Sequence, residues 1–311
     1  MKTLFEFKTL TEFADYFRDE AACVKHFTAT RFANGEYCPH CGHTEIYTFK
    51  DGKRYRCASC KQDFTIKTGT VFGESKLPLR KWFMAIYLLS TTSKGMSSVQ
   101  VAKHIGVCQK TAWFMAHRIR EAHLQNKGQL TGQIEADETY IGGKIPNMSK
   151  SRRKQFAGQT GGAGKTPLVG ILQRGGDIQV KVADRVNRET LIPNIAQNVA
   201  KGSFVYTDEN VCYRGLHRMG FIHNSVRHQA KEYVVGACHT NGIESFWALF
   251  KRGYHGVYHY MSRKHLQRYV NEFAFRFNRK ADGMQSVFSS VLGNIAKSSQ
   301  LPYKTLTQEP A

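Results

Sequence analysis

Three acidic residues and four cysteines are the side chains of this 311-residue chain whose types and spacing could do chemistry. Asp137, Asp208 and Glu244 lie far apart in the sequence, so only a fold can bring them together. Clustered carboxylates repel unless divalent cations neutralise them, so such a set implies bound metal. A metal pair held by carboxylates suits phosphoryl chemistry, because it activates an attacking oxygen and stabilises a departing one. Cys38-Pro-His-Cys41 and Cys57-Ala-Ser-Cys60 are two CxxC pairs with fifteen residues between them, the spacing of a four-cysteine zinc site. Four thiolates close a tetrahedral shell with no open position, so one structural zinc is expected, with His40 and His43 nearby as substitute ligands. Cys108, Cys212 and Cys238 show no partner pattern and read as small buried hydrophobes. The eight cysteines together suggest metal chemistry and not a disulfide framework.

These side chains need a scaffold of some size, and 311 residues is the length of two domains or of one large domain with an appendage. Hydrophobic residues make up 41%, ordinary for a globular protein. With 45 Lys plus Arg against 24 Asp plus Glu, a net charge of +21 and a pI near 9.7, the chain fits a polyanionic partner, because each neutralised phosphate releases counterions. No run approaches the ~18 to 20 apolar residues of a membrane-spanning helix, and charge interrupts the N-terminus too early for a signal peptide. A cytoplasmic location is therefore expected.

Around the cysteines, GHTEIYTFKDGKRYR reads as a hairpin: Ile46, Tyr47 and Phe49 in one strand, Asp51-Gly52 as the turn and Tyr55 in the next. Helical stretches at 10–17 and 21–32 are expected to brace it. The spacing of Trp82, Phe83, Ile86, Tyr87 and Leu89 after Pro78 predicts a helix over 79–89. Ser97-Ser98 then cap a short helix over 99–104, Ile105-Gly106-Val107 turns the chain, and a second helix covers 109–123. In this helix-turn-helix rhythm the second helix would offer Gln109, Lys110 and Thr111 to base edges, while Trp113, Phe114 and Ala116 face the core.

From residue 132 the pattern changes to strands, predicted at 132–141, 167–174 and 178–183. A helix over 188–200, a strand over 203–207, a short helix over 211–219, a strand over 221–226 and a long helix from about 242 follow. Three strands and then alternating helix and strand is the order of an RNase H-like fold, a mixed five-stranded sheet with flanking helices (α+β or α/β). It places Asp137 on the first strand, Asp208 at the carboxyl end of the fourth and Glu244 on the long helix, where all three can converge on one metal pair. Glu135 shares strand parity with Asp137, Glu138 adjoins it and Asp184 ends the third strand, so each competes for a ligand position. Glu209 reads as facing solvent or capping the next helix. The stretch 144–166, with Lys150, Arg152, Arg153, Lys154 and several glycines, reads as a mobile basic loop. Gly164-Lys165-Thr166 is no phosphate loop, because Gln159 holds the earlier glycine position and a strand follows.

EADETYIGGK at 135–144, VYTDEN at 205–210 and HTNGIESFWALFKRGYHG at 239–256 resemble the DDE domain of ISXO-type insertion-sequence transposases. The N-terminal CPHCG and the C-terminal helix also fit, and the thirty-five residues between Asp208 and Glu244 match the D,D(35)E spacing of such recombinases. The resemblance spans about residues 10–280. It implies an RNase H fold, a zinc ribbon, and an enzyme that cuts DNA at element ends and joins it to target DNA with two Mg2+ (or Mn2+) ions per active site. Among the competing acids it favours Asp137 and Asp208. Asp137 would bridge both ions, and Asp208 and Glu244 would each complete one coordination sphere. Lys251, two helical turns after Glu244, would meet the DNA backbone, with Arg252 beside it and a minority of Arg263, Lys264, Arg268, Arg276, Arg279 and Lys280 adding phosphate contacts. Asn241 and His239 would position water, the scissile phosphate or Glu244, or cap the helix. The implied partners are double-stranded DNA, as terminal inverted repeats and target, and at least a second copy of the chain. The expected divisions are a helical brace (1–35), the ribbon (36–75), the helix-turn-helix segment (76–128), the RNase H-like domain (129–285) and a C-terminal tail (286–311). A DNA-binding regulator and a nuclease that cuts without joining are the rival readings.

Overall fold

This computed structural model describes residues 7–123, 128–143, 145–156, 162–225 and 239–308. The chain divides into two compact units, Met1–Leu124 with Ala281–Ala311, and Gln125–Lys280.

The first unit begins with α1 (Leu10–Tyr16) and α2 (Glu20–Arg31), followed by β1 (Ile46–Thr48), β2 (Arg54–Cys57) and β3 (Asp63–Thr65). The hairpin forms where the sequence places it: Gly52 takes φ +64°, and the Asp51 carboxylate accepts from the N–H groups of Lys53 and Arg54. β3, which the sequence reading lacks, pairs antiparallel with β2 and stacks Phe64 on Tyr55 at 5.4 Å. Three residues are too few to show an alternation, which is why it escaped notice. α2 reaches this module through Arg31, whose guanidinium donates to the carbonyls of Ile66 and Thr68, whereas α1, expected to brace it too, packs Phe13 on Tyr87 and Phe288.

α3 (Leu79–Thr91), α4 (Ser98–Ile105) and α5 (Gln109–Glu121) follow. Glu20 accepts from the free N–H groups of Leu79 and Arg80 at the start of α3. Ser97 and Gln100 form a capping box for α4, and Gly106 at φ +65° ends it, which a side chain would resist. Ala112, Met115, Ala116 and Ile119 are the buried face of α5. Trp113 and Phe114, expected in the core, are only half-buried, because they sit one position off that face. Trp113 lies 4.4 Å from the His117 ring, and Arg118 covers Phe114 at 4.2 Å.

The second unit holds β4 (Gln133–Ile141), α6 (Lys150–Lys154), β5 (Thr166–Gln173), β6 (Ile178–Val182), α7 (Arg188–Asn198), β7 (Phe204–Thr207), β8 (Ile222–Ser225), α8 (Asn241–Gly253) and α9 (Arg263–Asn278). Its sheet runs β6-β5-β4-β7-β8, antiparallel on the β6-β5-β4 side and parallel from β4 through β7 to β8. Strand alternation splits the apolar residues between two cores. Ile134, Ala136, Val169, Ile171 and Val205 pack with Leu191 and Ile195 of α7 on one face. Leu168 and Leu172 pack with Ile243, Phe246, Trp247 and Phe250 of α8 and Phe273 of α9 on the other. A mixed five-stranded sheet in this order between helices is an RNase H-like fold. The short helix expected over 211–219 is two 3-10 turns, Val211–Tyr213 and Leu216–Met219, and the stretch expected as a loop carries α6 and a further 3-10 turn, Ile145–Asn147.

The last helices, α10 (Met284–Lys297) and α11 (Tyr303–Thr307), belong to the first unit, although residues 286–311 read as a tail. Val287, Phe288, Val291, Leu292 and Ile295 of α10 are buried, with the Phe288 ring 5.5 Å from both Phe17 and Phe83. Their i, i+4 spacing is the apolar stripe of a packed helix.

Candidate active site

β4 carries three acids in four residues, and its alternation sends them to different faces. Glu135 and Asp137 share the face covered by α8, and Glu138 faces the other. Asp137 is half-buried, and its Oδ2 accepts from the indole N–H of Trp247, three residues after Glu244 on α8, at 3.0 Å. Gly170 stands opposite Asp137 on β5, and a Cβ there would lie 2.7 Å from Trp247 Cζ2. The glycine therefore makes the room through which the indole reaches the carboxylate. Burial, then the charge of Glu138 and that of Asp208, push the Asp137 carboxyl up to about 7.

Asp208 follows the end of β7, half-buried, and its Oδ1 accepts from the N–H of Asn210 at 3.1 Å. Asn210 in turn donates its side-chain amide to Glu138, which also accepts from the Tyr213 hydroxyl at 2.7 Å. Burial pushes Glu138 up against these two bonds, and Asp208 adds to the rise. Two donors thus occupy Glu138 on the α7 face, away from Trp247.

Glu135 has a different role. Its side chain is 1% exposed, Oε1 accepts from Arg174 Nε at 2.8 Å, and Oε2 accepts from the N–H of Ile243 at 2.9 Å. It caps the first turn of α8 from inside, next to Glu244. A Cβ on Gly242 would meet that same carboxylate oxygen at 2.9 Å. Arg174 also donates to the His239 carbonyl at 2.7 Å, and the His239 ring Nδ1 lies 3.4 Å from Glu135, so His239 is tied to the start of the helix. Trp247 and Glu135 are the site residues that sequence reasoning missed as partners. Their only advance signals were an aromatic one turn after Glu244 and a glycine before it.

Glu244 is exposed in the first turn of α8, where an acid suits the helix dipole, and accepts from the Thr240 hydroxyl at 2.9 Å. Asp208 is close enough for its charge to raise Asp137, but the three carboxylates are not drawn to metal-ligand spacing. Like charges gain nothing by closing up on their own. Two half-buried aspartates whose carboxylates offer hard oxygen ligands fit a divalent cation, and Glu244 faces solvent on the adjoining helix. Asn241 is exposed at the head of α8, and Lys251 and Arg252 are exposed in its last turn. Asp184 is exposed and paired with Arg263, and Arg276 is buried against Glu272, which removes Arg276 from the candidate phosphate contacts.

In the first unit, Cys38, Cys41, Cys57 and Cys60 bring their sulfurs within 4.8 Å of one another, the only such group of metal-binding side chains among the described residues. These four thiols fit a structural zinc without His40 or His43. Burial opposes ionisation of Cys57, but the N–H groups of Cys60 and Ser59 outweigh it and pull the thiol down to about 6. Gln109 and Lys110 are exposed and Thr111 half-buried, at the start of α5. The Gln109 amide donates to Ser98 at 3.0 Å, and the Lys110 ammonium sits 5.5 Å over the Tyr303 ring. Cys108 is exposed and Cys212 half-buried, contrary to expectation, and Cys238 lies outside the described residues. Cys108 caps α5, where the cap position faces solvent, and the hydroxyl and then the N–H of Thr111 lower its pKa.

Residues 129–278 match the model of the ISXO2-like transposase domain, and residues 18–63 that of the transposase zinc-ribbon domain. An uncharacterised protein in transposable element ISH50 of Halobacterium salinarum is 28% identical over 271 residues, 84% of this chain and 91% of that one. An uncharacterised transposase-like protein of Haemophilus influenzae is 31% identical over 100 residues, 31% of this chain and 77% of that one. A chain of the pre-cleavage Mos1 transpososome is 11% identical, with 67% of this chain and 76% of that one covered and a TM-score of 0.27.

Proposed function

The chain belongs to the ISXO2-like transposases, with a zinc-ribbon domain ahead of the transposase domain, and we propose that it cuts DNA at the ends of a mobile element and joins them to target DNA. The observation that carries this reading is the half-buried Asp137 and Asp208 beside a helix that presents Glu244, with burial, the charge of Glu138 and that of Asp208 pushing the Asp137 carboxyl up to about 7. The residues that would hold two Mg2+ or Mn2+ ions are Asp137, Asp208 and Glu244. When bound, the ions supply activation of the attacking water or 3′-hydroxyl and stabilisation of the departing oxygen.

The chain's own residues do the rest. Trp247 fixes the rotamer of Asp137, and Glu135 with Arg174 fixes the turn of α8 from which Glu244 projects. Lys251, about 10 Å further along that helix, and Arg252 would lie against the backbone of the bound strand. Asn241, at the helix head, would orient the scissile phosphate or the attacking water. Gln109, Lys110 and Thr111 would read base edges in the terminal repeats, and the net charge of +21 would supply the sequence-independent part of binding. Two ends must be held together for joining, so the active form would be a dimer or larger.

The test is incubation of the full chain with duplexes from the flanks of its coding region, a target plasmid and Mg2+. Nicked ends and plasmid products joined to the end DNA support the proposal. Cleavage without joining would leave a nuclease, and binding without cleavage a regulator.

A further inference from the structure

A recess in the transposase domain takes no part in the chemistry above. It has a volume of about 740 Å³ and lies where β4 runs out at Ile141, between the chain around 145–149, the start of β5 and the junction of α8 with α9. That is ample for a single nucleotide, within the usual range for ligand pockets. Phe156 and Met148 line it on one side, and Tyr254 and Tyr260 on the other. Lys165 and Arg263 stand at it, and no carboxylate is among the described residues that line it. Tyr260 is 71% exposed, an aromatic ring held out toward solvent, and it follows His259, which takes a positive φ of 57°. A non-glycine residue in that region is strained, and Tyr260 directly after it lines the recess. Arg263 is paired with Asp184, but both are exposed, and a surface ion pair yields readily to a phosphate.

Aromatic rings that stack and cations that neutralise phosphate are the requirements of a site for single-stranded nucleic acid. We propose that this recess binds one unpaired nucleotide of the DNA strand, the base against Tyr260 and its phosphate at Lys165 and Arg263. Ile141 is four residues beyond Asp137, about 13 Å along an extended strand, or about four nucleotide steps of one duplex strand. The nucleotide held there is therefore a few steps from the phosphate to be cut. The assignment rests on the reading of the domain as acting on DNA, but the recess need not cleave anything to be tested.

The test is binding of the full chain to a dT12 oligonucleotide and to a 12-base-pair duplex, without added divalent cation, for the wild type, Tyr260→Ala, Tyr260→Phe and Lys165→Gln. Tyr260→Ala should weaken dT12 binding on the order of tenfold and leave duplex binding within about twofold, and Tyr260→Phe should restore it. Lys165→Gln should lower the salt dependence of dT12 binding by about one counterion. A dT12 carrying one 4-thiothymidine should crosslink to the peptide that contains Tyr260. Equal weakening of dT12 and duplex, no weakening at all, or a crosslink elsewhere would overturn the assignment. A wild type that cleaves nothing yet passes this test would sink the transposition chemistry and spare the recess.

Discussion

Replacing Asp137 by Asn should abolish the proposed chemistry and yet stabilise the second unit, by an amount that grows with pH. Without a cation, burial and the charges of Glu138 and Asp208 push the Asp137 carboxyl up to about 7, from 3.8 for the free side chain. The unfolded chain therefore sheds this proton near pH 4 and the folded chain only near pH 7. A raised acid contributes stability that is fully present below the unfolded value and is lost as pH rises through the folded one. About three pH units at 1.36 kcal/mol each is about 4 kcal/mol, and solvent access to the half-buried side chain trims it to about 2 to 4. Asparagine keeps an oxygen for the Trp247 indole but has no charge to lose. Urea unfolding in metal-free buffer, followed by Trp247 fluorescence after Trp82 and Trp113 are changed to Phe, reads the second unit alone. The difference between variant and parent at each pH cancels the titrations they share. It should widen by about 2 kcal/mol between pH 5 and pH 8. A difference that is absent at pH 8, or flat with pH, would refute the claim that Asp137 carries uncompensated charge.

Glu135→Gln should cost about 2 to 4 kcal/mol, because it leaves Arg174 facing a neutral amide, and amide exchange at Ile243 should quicken. Unchanged exchange there would remove the capping role. Gly170→Ala should lower stability by about 1 to 3 kcal/mol and shift Trp247 emission, because the added methyl meets the indole; a neutral, spectrally silent variant would contradict the packing. Cys57→Ser should take bound zinc, measured by mass spectrometry, from about one per chain to near none and melt the three-stranded sheet in circular dichroism. Retained zinc would point to His40 or His43 as a ligand after all.

Local chemistry is what the sequence displayed well. The Ser97 and Gln100 box, the Gly106 stop, the Asp51-Gly52 turn and the two CxxC pairs act within a few residues, so their patterns sit in plain view. The order of strands and helices along the second unit was readable too, because its strands are bounded by turn residues. Long-range pairing was not. Glu138 is occupied by Asn210 and Tyr213, more than seventy residues on, and Glu135 by Arg174 and the N–H of Ile243, so nothing beside them told three neighbouring acids apart. Strand parity separated Glu138 from Asp137, but only the helix packed on that face separated Asp137 from Glu135. Cys108 misled for the opposite reason: a cysteine is apolar enough to suggest burial, and its place as a cap exposes it. α10 carried a legible stripe from Val287 to Ile295, but its position near the chain's end suggested a tail.

Glu244 is exposed on α8, and its sharing of one site with the two aspartates is the central claim. The direct measurement is the single-turnover rate of strand cleavage on a bound element-end duplex in Mg2+, wild type against Glu244→Gln. Three carboxylates acting on one metal pair predict a rate lower by at least about a hundredfold, about 3 kcal/mol of lost transition-state stabilisation, with duplex binding unchanged. A Glu244→Gln protein that cleaves as fast as the wild type would contradict the shared site.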